Sequence, residues 1–197
     1  MPEPSELRNE NAERSTHEFE GSSSSARHHH PSFAEQVTDI KTQLGREWIP
    51  TIYRERVLTL RTRSHLIGPA TKNARIEVQR TLLGVELKIG RRRLQCPDVI
   101  TARYLAVYAQ LGCPEVAVPY DITKVSRLAD DLESSWHRIC SLADLATLDR
   151  PQAYRRRLCR TLIAQAASEV NEAGPGAKVP QFVQNTKQRP VIPHHVA

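Results

Sequence analysis

Glu86 and Lys88 are the two residues of this chain whose types and spacing best suit catalytic chemistry. Two positions apart on a predicted strand, they point to one side, opposite Val85, Leu87 and Ile89. A carboxylate beside an ammonium suits metal-assisted hydrolysis of a phosphodiester, because the carboxylate helps to hold Mg²⁺ or Mn²⁺ while the lysine steadies the attacking water. The alternative interpretation is that both residues form the solvated face of an amphipathic strand.

Such a metal site needs a second carboxylate, and Glu77 is the candidate. Glu77 lies on the polar side of the preceding predicted strand. If the two strands form a hairpin around residues 80–84, Glu77 and Glu86 become cross-strand neighbours. On this hypothesis Glu86 and Lys88 are catalytic, Glu77 and Glu86 are the metal ligands, and Mg²⁺ or Mn²⁺ is the cofactor.

Arginines form two clusters that suit phosphate oxygens, because a guanidinium binds such oxygens through two hydrogen bonds. The first cluster follows Gly90 at a predicted bend, and the second lies on the last predicted helix. The candidate phosphate-binding residues are Arg91, Arg92, Arg93, Arg155, Arg156, Arg157 and Arg160. A solvated hairpin tip is the alternative for the first cluster, and an ordinary helix surface is the alternative for the second.

The distribution of charge agrees with an anionic partner. The chain has a formal net charge of +6 and a pI of about 9.4. Residues 151–197 hold seven Lys and Arg residues against two Asp and Glu residues. A basic segment of this kind favours a polyanion, either nucleic acid or an acidic protein surface. Solubility alone is the alternative explanation for the same charge.

Four segments with helical periodicity or helix-start signals must position these residues. A capping box of Ser32 and Glu35 opens the first predicted helix. The second covers residues 98–111, is apolar nearly all round, and ends at Gly112. Two further amphipathic helices are predicted, the first capped by Asp121 or Thr123 and the second from about Gln152 to Asn171.

The strands predict the sheet order. Residues 53–63 are rich in β-branched and aromatic residues and are predicted as a strand. The apolar positions change phase at Gly84, which requires a turn there, so we predict an antiparallel meander over residues 53–96. Residues 115–119 form a short apolar strand after a helix, as in a β-α-β crossover. The predicted fold class is α/β: a mixed sheet with an antiparallel meander followed by that crossover, with helices packed on it.

This order of elements resembles the restriction-endonuclease-like superfamily, also called PD-(D/E)XK. The (D/E)-x-K motif of that family matches Glu86-Leu87-Lys88, and its following helix matches residues 98–111. The resemblance covers roughly residues 33–140 and implies a metal-dependent nuclease or a relic of one. The first acid of the family is normally an Asp, for which Glu77 stands here. The segments TDIKTQLGREWIPTIYRERVLTL and VPYDITKVSRLADDLESSW also resemble a bacterial family without an assigned activity.

Composition sets the expected domain organisation. We expect residues 1–31 to be a disordered arm, residues 32–173 a single α/β domain, and residues 174–197 an irregular tail rich in proline. The four cysteines show no C-x-x-C spacing, and no apolar run is long enough for a membrane span, which favours a cytoplasmic protein with free thiols. The predicted function is non-catalytic binding of a polyanion, and the alternative is the metal-dependent nuclease.

Overall fold

The computed structural model describes residues 31–69 and 74–177. Its α-helices are α1 (Phe33–Leu44), α2 (Ile49–Ile52), α3 (Val99–Leu111), α4 (Ile122–Leu145) and α5 (Gln152–Ala173). Its strands are β1 (Thr62–Leu66), β2 (Ile76–Thr81), β3 (Gly84–Ile89), β4 (Arg92–Cys96) and β5 (Glu115–Pro119). None of these helices is long and apolar enough to cross a bilayer. The arm predicted over residues 1–31 lies outside the described residues except for Pro31, and the predicted tail lies outside them from residue 178 onward.

The predicted antiparallel meander is present as a three-stranded sheet in the order β2-β3-β4. A two-residue turn joins β2 to β3, with Thr81 opposite Gly84. Gly84 has a φ of 121°, a backbone conformation that residues with a Cβ rarely adopt. Because of this turn, the apolar residues of β2 and β3 lie on the same face of the sheet, with Val78 directly opposite Leu87. That apolar face packs on α3, and the polar face carries Glu77, Glu86 and Lys88.

The fifth strand follows α3 as predicted, but it joins a second sheet. β5 pairs with β1 in antiparallel fashion, with Ser64 opposite Ala117. The α/β class, the meander and the packed helices are therefore confirmed, while the strands form two antiparallel sheets rather than one mixed sheet. The crossover helix α3 therefore delivers β5 to β1 and not to the meander.

The predicted strand over residues 53–63 is wrong. α2 continues directly into a π-helical turn, Tyr53–Val57, and β1 begins only at Thr62. Pro50 lies in the first turn of α2, where its missing N–H is no loss. The buried residues of this segment recur at the spacing of a helix: Ile49, Ile52, Tyr53 and Val57. Burial of that stripe outweighs the strand preference of its β-branched residues.

The predicted helix boundaries are confirmed at their caps. Ser32 and Glu35 form the capping box of α1. The Asp98 side chain accepts a hydrogen bond from the backbone N–H of Thr101, and Gly112 ends α3 in the left-handed conformation. Asp121 caps α4, and α5 ends at Gly174. The core lies between α3, α4, α5 and α1, with α3 in contact with the meander on its other side.

Tyrosine hydroxyls bind the edge of β5 that faces away from β1. The backbone N–H of Ala117 donates to Tyr53 Oη at 2.9 Å, and Tyr104 Oη donates to the Ala117 carbonyl at 2.7 Å. Tyr53 Oη donates to the carbonyl of Gly174 at 2.7 Å. Since Tyr53 and Tyr104 are fully buried, these bonds tie β5 to the π-helical turn, to α3 and to the end of α5.

Candidate polyanion interface

The arginines of the β3–β4 hairpin are mostly engaged inside the protein. Arg92 Nη2 donates to the backbone carbonyl of Ile67 at 2.8 Å, so this side chain fastens the meander to the chain after β1. Arg93 Nη1 lies 3.2 Å from the carboxylate of Glu86. Arg91, at the turn, is exposed and forms no ion pair with any described residue. Among the described residues, the Arg91 guanidinium therefore has no anionic partner.

The second cluster lies on the N-terminal half of α5, and we call it the arginine face: Arg155, Arg156, Arg157 and Arg160. All four side chains are exposed, because Leu158 and Leu162 take the buried positions between them. Arg155 pairs with Asp144 of α4. Within the described part of the chain, the other three members form no ion pair with a carboxylate.

Aromatic rings support one side of the arginine face. The guanidinium of Arg157 lies 4.7 Å from the centroid of the Phe33 ring, and Phe33 meets Tyr154 edge to face at 5.6 Å. The Tyr154 hydroxyl lies 3.0 Å from Oε1 of Gln36 and donates to it. The guanidinium of Arg150 lies over the Tyr154 ring, 5.5 Å from its centroid. Cation–π contacts of this kind hold a guanidinium in place while leaving its N–H groups free to bind an anion.

A shallow groove continues from the arginine face along the seam of α1 and α5. It spans about 620 Å³ beside α1, and its lining combines apolar side chains of α1 with hydroxyl, amide and cationic groups. The lining residues that can donate to an anion are Arg157, Arg160, Thr161 and Gln165, because the hydroxyls of Thr38, Thr42 and Ser168 already donate to groups on their own helices. No described carboxylate lines it, although Glu169 pairs with Lys41 at its far end. The groove thus adds polar side chains beside the arginines, while Lys41, the cation of its lining apart from them, is already paired with Glu169.

The local charge of α5 is unbalanced. Its first turn contains no acidic residue, so nothing on the helix itself offsets the positive end of its dipole. Three consecutive arginines follow at residues 155–157, of which Arg155 pairs with Asp144 of α4. The N-terminal half of α5 therefore carries net positive charge.

A cleft between α4 and α5 borders the arginine face on its other side. It is lined by Cys140, Asp144, Arg155, Arg156, Cys159 and Arg160. Burial raises the pKa of both the Cys140 and Cys159 thiols, with a further rise from the neighbouring Asp144. Both sulfurs are therefore protonated thiols at neutral pH and are poor nucleophiles.

The predicted catalytic residues lie together on the polar face of the meander, in a different register from the one expected. Glu77 is directly opposite Lys88, and Glu86 is directly opposite Gln79, so the two carboxylates are diagonal neighbours. Lys88 Nζ lies 3.5 Å from Glu77, which also pairs with Arg75. The Glu86 side chain is only 12% exposed and is paired with Arg93.

These contacts do not fit a divalent cation. Cations of the protein already neutralise both carboxylates, and Lys88 is held by Glu77 rather than free to orient a water molecule. Over residues 31–69 and 74–177, no group of three or more His, Cys, Asp or Glu side chains could hold a metal ion. We therefore derive no catalytic step through a metal at this position.

The sequence patterns identified the arginine face but missed the residues that complete it: Phe33, Lys41, Arg150, Tyr154 and Gln165. None of these five residues belongs to a sequence motif that marks an anion site. Oε1 of Gln165 is buried without a hydrogen-bond partner among the described residues. Their shared position becomes visible only when α1 packs beside α5.

Comparison with known proteins gives one result. No protein-family model, no curated protein and no solved structure matches this chain at a significant level. The resemblance to the PD-(D/E)XK superfamily accordingly rests on the Glu86-Leu87-Lys88 motif and the order of elements alone.

Proposed function

We propose that this protein binds a polyanionic partner, non-catalytically, through the arginine face of α5 and the adjoining groove. The observation that carries the proposal is that Arg156, Arg157 and Arg160 are exposed together and pair with no described carboxylate. The partner supplies phosphate or carboxylate oxygens, as a nucleic acid or an acidic protein surface does. Arg91 of the β3–β4 hairpin is available for a further anion contact.

Two physical arguments support the proposal. Arginine is preferred to lysine at sites that grip planar or tetrahedral oxyanions, because its fork of N–H groups binds two oxygens at once. The stacking of Arg157 on Phe33 fixes the position of one such fork before binding. A pre-positioned side chain loses less conformational entropy when the partner arrives. Thr161 and Gln165 offer further donors along the groove.

The alternative function is a metal-dependent nuclease that uses Glu86 and Lys88. One observation favours it: Glu77 and Glu86 lie on the same face of the sheet, as a two-carboxylate site requires. The ion pairs that neutralise both side chains argue against it. This function stays a prediction that a cleavage assay can decide.

The test of binding is fluorescence anisotropy with labelled poly-dT, an RNA duplex and poly-glutamate, titrated with the full-length protein at several salt concentrations. The variant R156E/R157E/R160E is expected to lose at least about tenfold in affinity for the anion that binds. For a nucleic acid, the slope of log affinity against log salt should fall in magnitude by about two to three, since each lost phosphate contact contributes about 0.7–0.9. The control is R46E/R127E/R138E, which makes the same charge change on exposed arginines outside α5.

Two results would count against the proposal. If both triple variants weaken binding equally, net charge and not the arginine face is responsible. If no polyanion binds the wild type, the proposed function is wrong. The same samples, incubated with Mg²⁺ or Mn²⁺ and run on a denaturing gel beside Glu86→Ala, test the alternative, because metal-dependent cutting that disappears in the variant would establish a nuclease.

A further inference from the structure

Two leucines stand exposed at the corner where α4 meets α5. Leu145, the last residue of α4, is 65% exposed, and Leu148 in the following turn is 74% exposed. The backbone N–H of Leu148 donates to the carbonyl of Leu145 at 3.4 Å, so a helical turn links them and their side chains share a face. We call this pair the leucine corner. A lone exposed leucine needs no explanation, but two in one turn form an apolar patch.

The leucine corner borders the arginine face. Asp144, which precedes Leu145, pairs with Arg155 across the cleft between α4 and α5. Arg156 and Arg160 line that same cleft. Within a few residues, the surface thus passes from two apolar side chains to a row of guanidiniums. A partner that fits both parts must carry apolar groups and negative charge side by side.

We propose that the partner at this surface is an acidic amphipathic helix of another protein, which lies along the α4–α5 cleft. This inference rests on the proposed function and names the partner class for the same site. The apolar stripe of the helix covers the leucine corner, and its carboxylates pair with Arg156 and Arg160. Apolar contact at the centre with charged contacts around it is the usual arrangement of a protein interface.

The geometry favours a helix over the two other anionic surfaces. A nucleic-acid backbone offers phosphates but no apolar stripe that would gain from covering Leu145 and Leu148. An anionic bilayer would meet every residue of the corner, including the exposed carboxylate of Asp149, which it would repel. A helix about 10 Å wide covers a narrower strip than a bilayer and need not meet Asp149, and Asp144, the carboxylate that lines the cleft, is already paired with Arg155.

The experiment uses the full chain and two labelled peptides of glutamate and leucine with identical composition, each about 18 residues or roughly 27 Å long as a helix. One peptide places its leucines on a single helix face, and the other spreads them around the helix. Poly-dT serves as the nucleic-acid probe. The variants are L145S/L148S, the control L82S/L83S, which makes the same change at the exposed β2–β3 turn, and R156E/R157E/R160E.

The expected result is that the amphipathic peptide binds at least about tenfold more tightly than the scrambled one, and that L145S/L148S removes this difference while the control keeps it. Equal binding of the two peptides, or an unchanged affinity in L145S/L148S, would overturn the inference. If the arginine variant weakens poly-dT binding while neither peptide binds, the proposed function stands and the acidic helix is wrong. If the arginine variant changes no probe, both fail.

Discussion

The guanidinium of Arg157 on α5 lies 4.7 Å from the centre of the Phe33 ring on α1. The two residues are far apart in sequence, and their contact turns an apolar side chain of α1 into a support for the arginine face. Phe33 is half-buried and packs against the core, so its ring cannot move away from this position freely. The contact therefore links the packing of the helices to the geometry of the proposed site.

Replacing Phe33 tests whether this support matters. We expect Phe33→Leu to weaken polyanion binding about two- to fivefold, because an exposed cation–π contact is worth roughly 0.5–1 kcal/mol. Tyr154→Phe is the matched control, since it keeps the ring that meets Phe33 and removes only the hydrogen bond to Gln36. Anisotropy titrations measure the affinity, and thermal melts confirm that both variants are folded. Equal affinity of Phe33→Leu and wild type would show that the stacking has no role in binding.

The pairing of Arg155 with Asp144 predicts a variant that binds a polyanion more tightly, the opposite of the effect expected for Phe33→Leu. Asp144→Asn removes a negative charge beside the arginine face and releases Arg155. Binding of a polyanion should therefore become about two- to fivefold tighter at low salt, and the gain should shrink at high salt as screening grows. Asp131→Asn changes the net charge equally but releases Arg56, away from α5. If Asp131→Asn tightens binding as much as Asp144→Asn, the effect belongs to net charge and not to the site.

Much of the fold was predictable because local signals and burial agree. The change of phase between Val78 and Val85 requires a turn at Gly84, and the caps at Ser32 and Asp98 fix where α1 and α3 begin. The strand predicted over residues 53–63 was wrong because the β-branched and aromatic composition of that segment favours a strand, whereas Tyr53–Val57 is helical. A helical stripe of apolar residues was already present there, and burial against the core decides between the two.

The candidate site was predictable only in part, for a different reason. The four residues of the arginine face are close in sequence, so helix periodicity places them together. Their neighbours on α1 reach them only through tertiary packing, which no spacing rule encodes. The offset between Glu77 and Glu86 depends on the length of the turn between β2 and β3. A turn longer or shorter by one residue would change the partner of every residue in the β2–β3 pairing.

Tyr53 gives a stability prediction. Its hydroxyl accepts a hydrogen bond from Ala117 and donates one to Gly174, and burial raises its pKa to about 12, so it stays protonated and can donate. Tyr53→Phe keeps the ring and leaves the buried N–H of Ala117 and the partly buried carbonyl of Gly174 without that partner. We expect a loss of about 1–3 kcal/mol in the free energy of unfolding, measured by urea denaturation. Tyr120→Phe, at an exposed ring, is the control and should change stability by less than about 0.5 kcal/mol. If Tyr53→Phe leaves the free energy of unfolding unchanged, a water molecule takes the place of the hydroxyl.

Glu169 on α5 joins three segments through one carboxylate. It accepts hydrogen bonds from Lys41 at 2.7 Å, from the indole of Trp48 at 3.1 Å and from Arg54 at 2.7 Å. Burial acts to raise the pKa of this carboxyl, but the bonds from Lys41 and Trp48 and the charge of Arg54 outweigh burial and hold the pKa below its ordinary value. Folding therefore favours the ionised form of Glu169.

This contact makes part of the stability depend on pH. A carboxyl whose pKa is lower in the folded than in the unfolded chain stabilises the protein above the unfolded pKa of about 4.3, and this contribution is lost as the pH falls through the folded pKa. At neutral pH, Glu169→Gln should reduce the free energy of unfolding by about 1–3 kcal/mol, because three donors lose a charged acceptor. Urea denaturation between pH 7 and about pH 3 should show the difference from wild type shrinking below about pH 4. Glu172→Gln, at an exposed position on the same helix, should show little difference at any pH. A gap between Glu169→Gln and wild type that stays constant down to pH 3 would mean that shape, and not charge, is what Glu169 contributes.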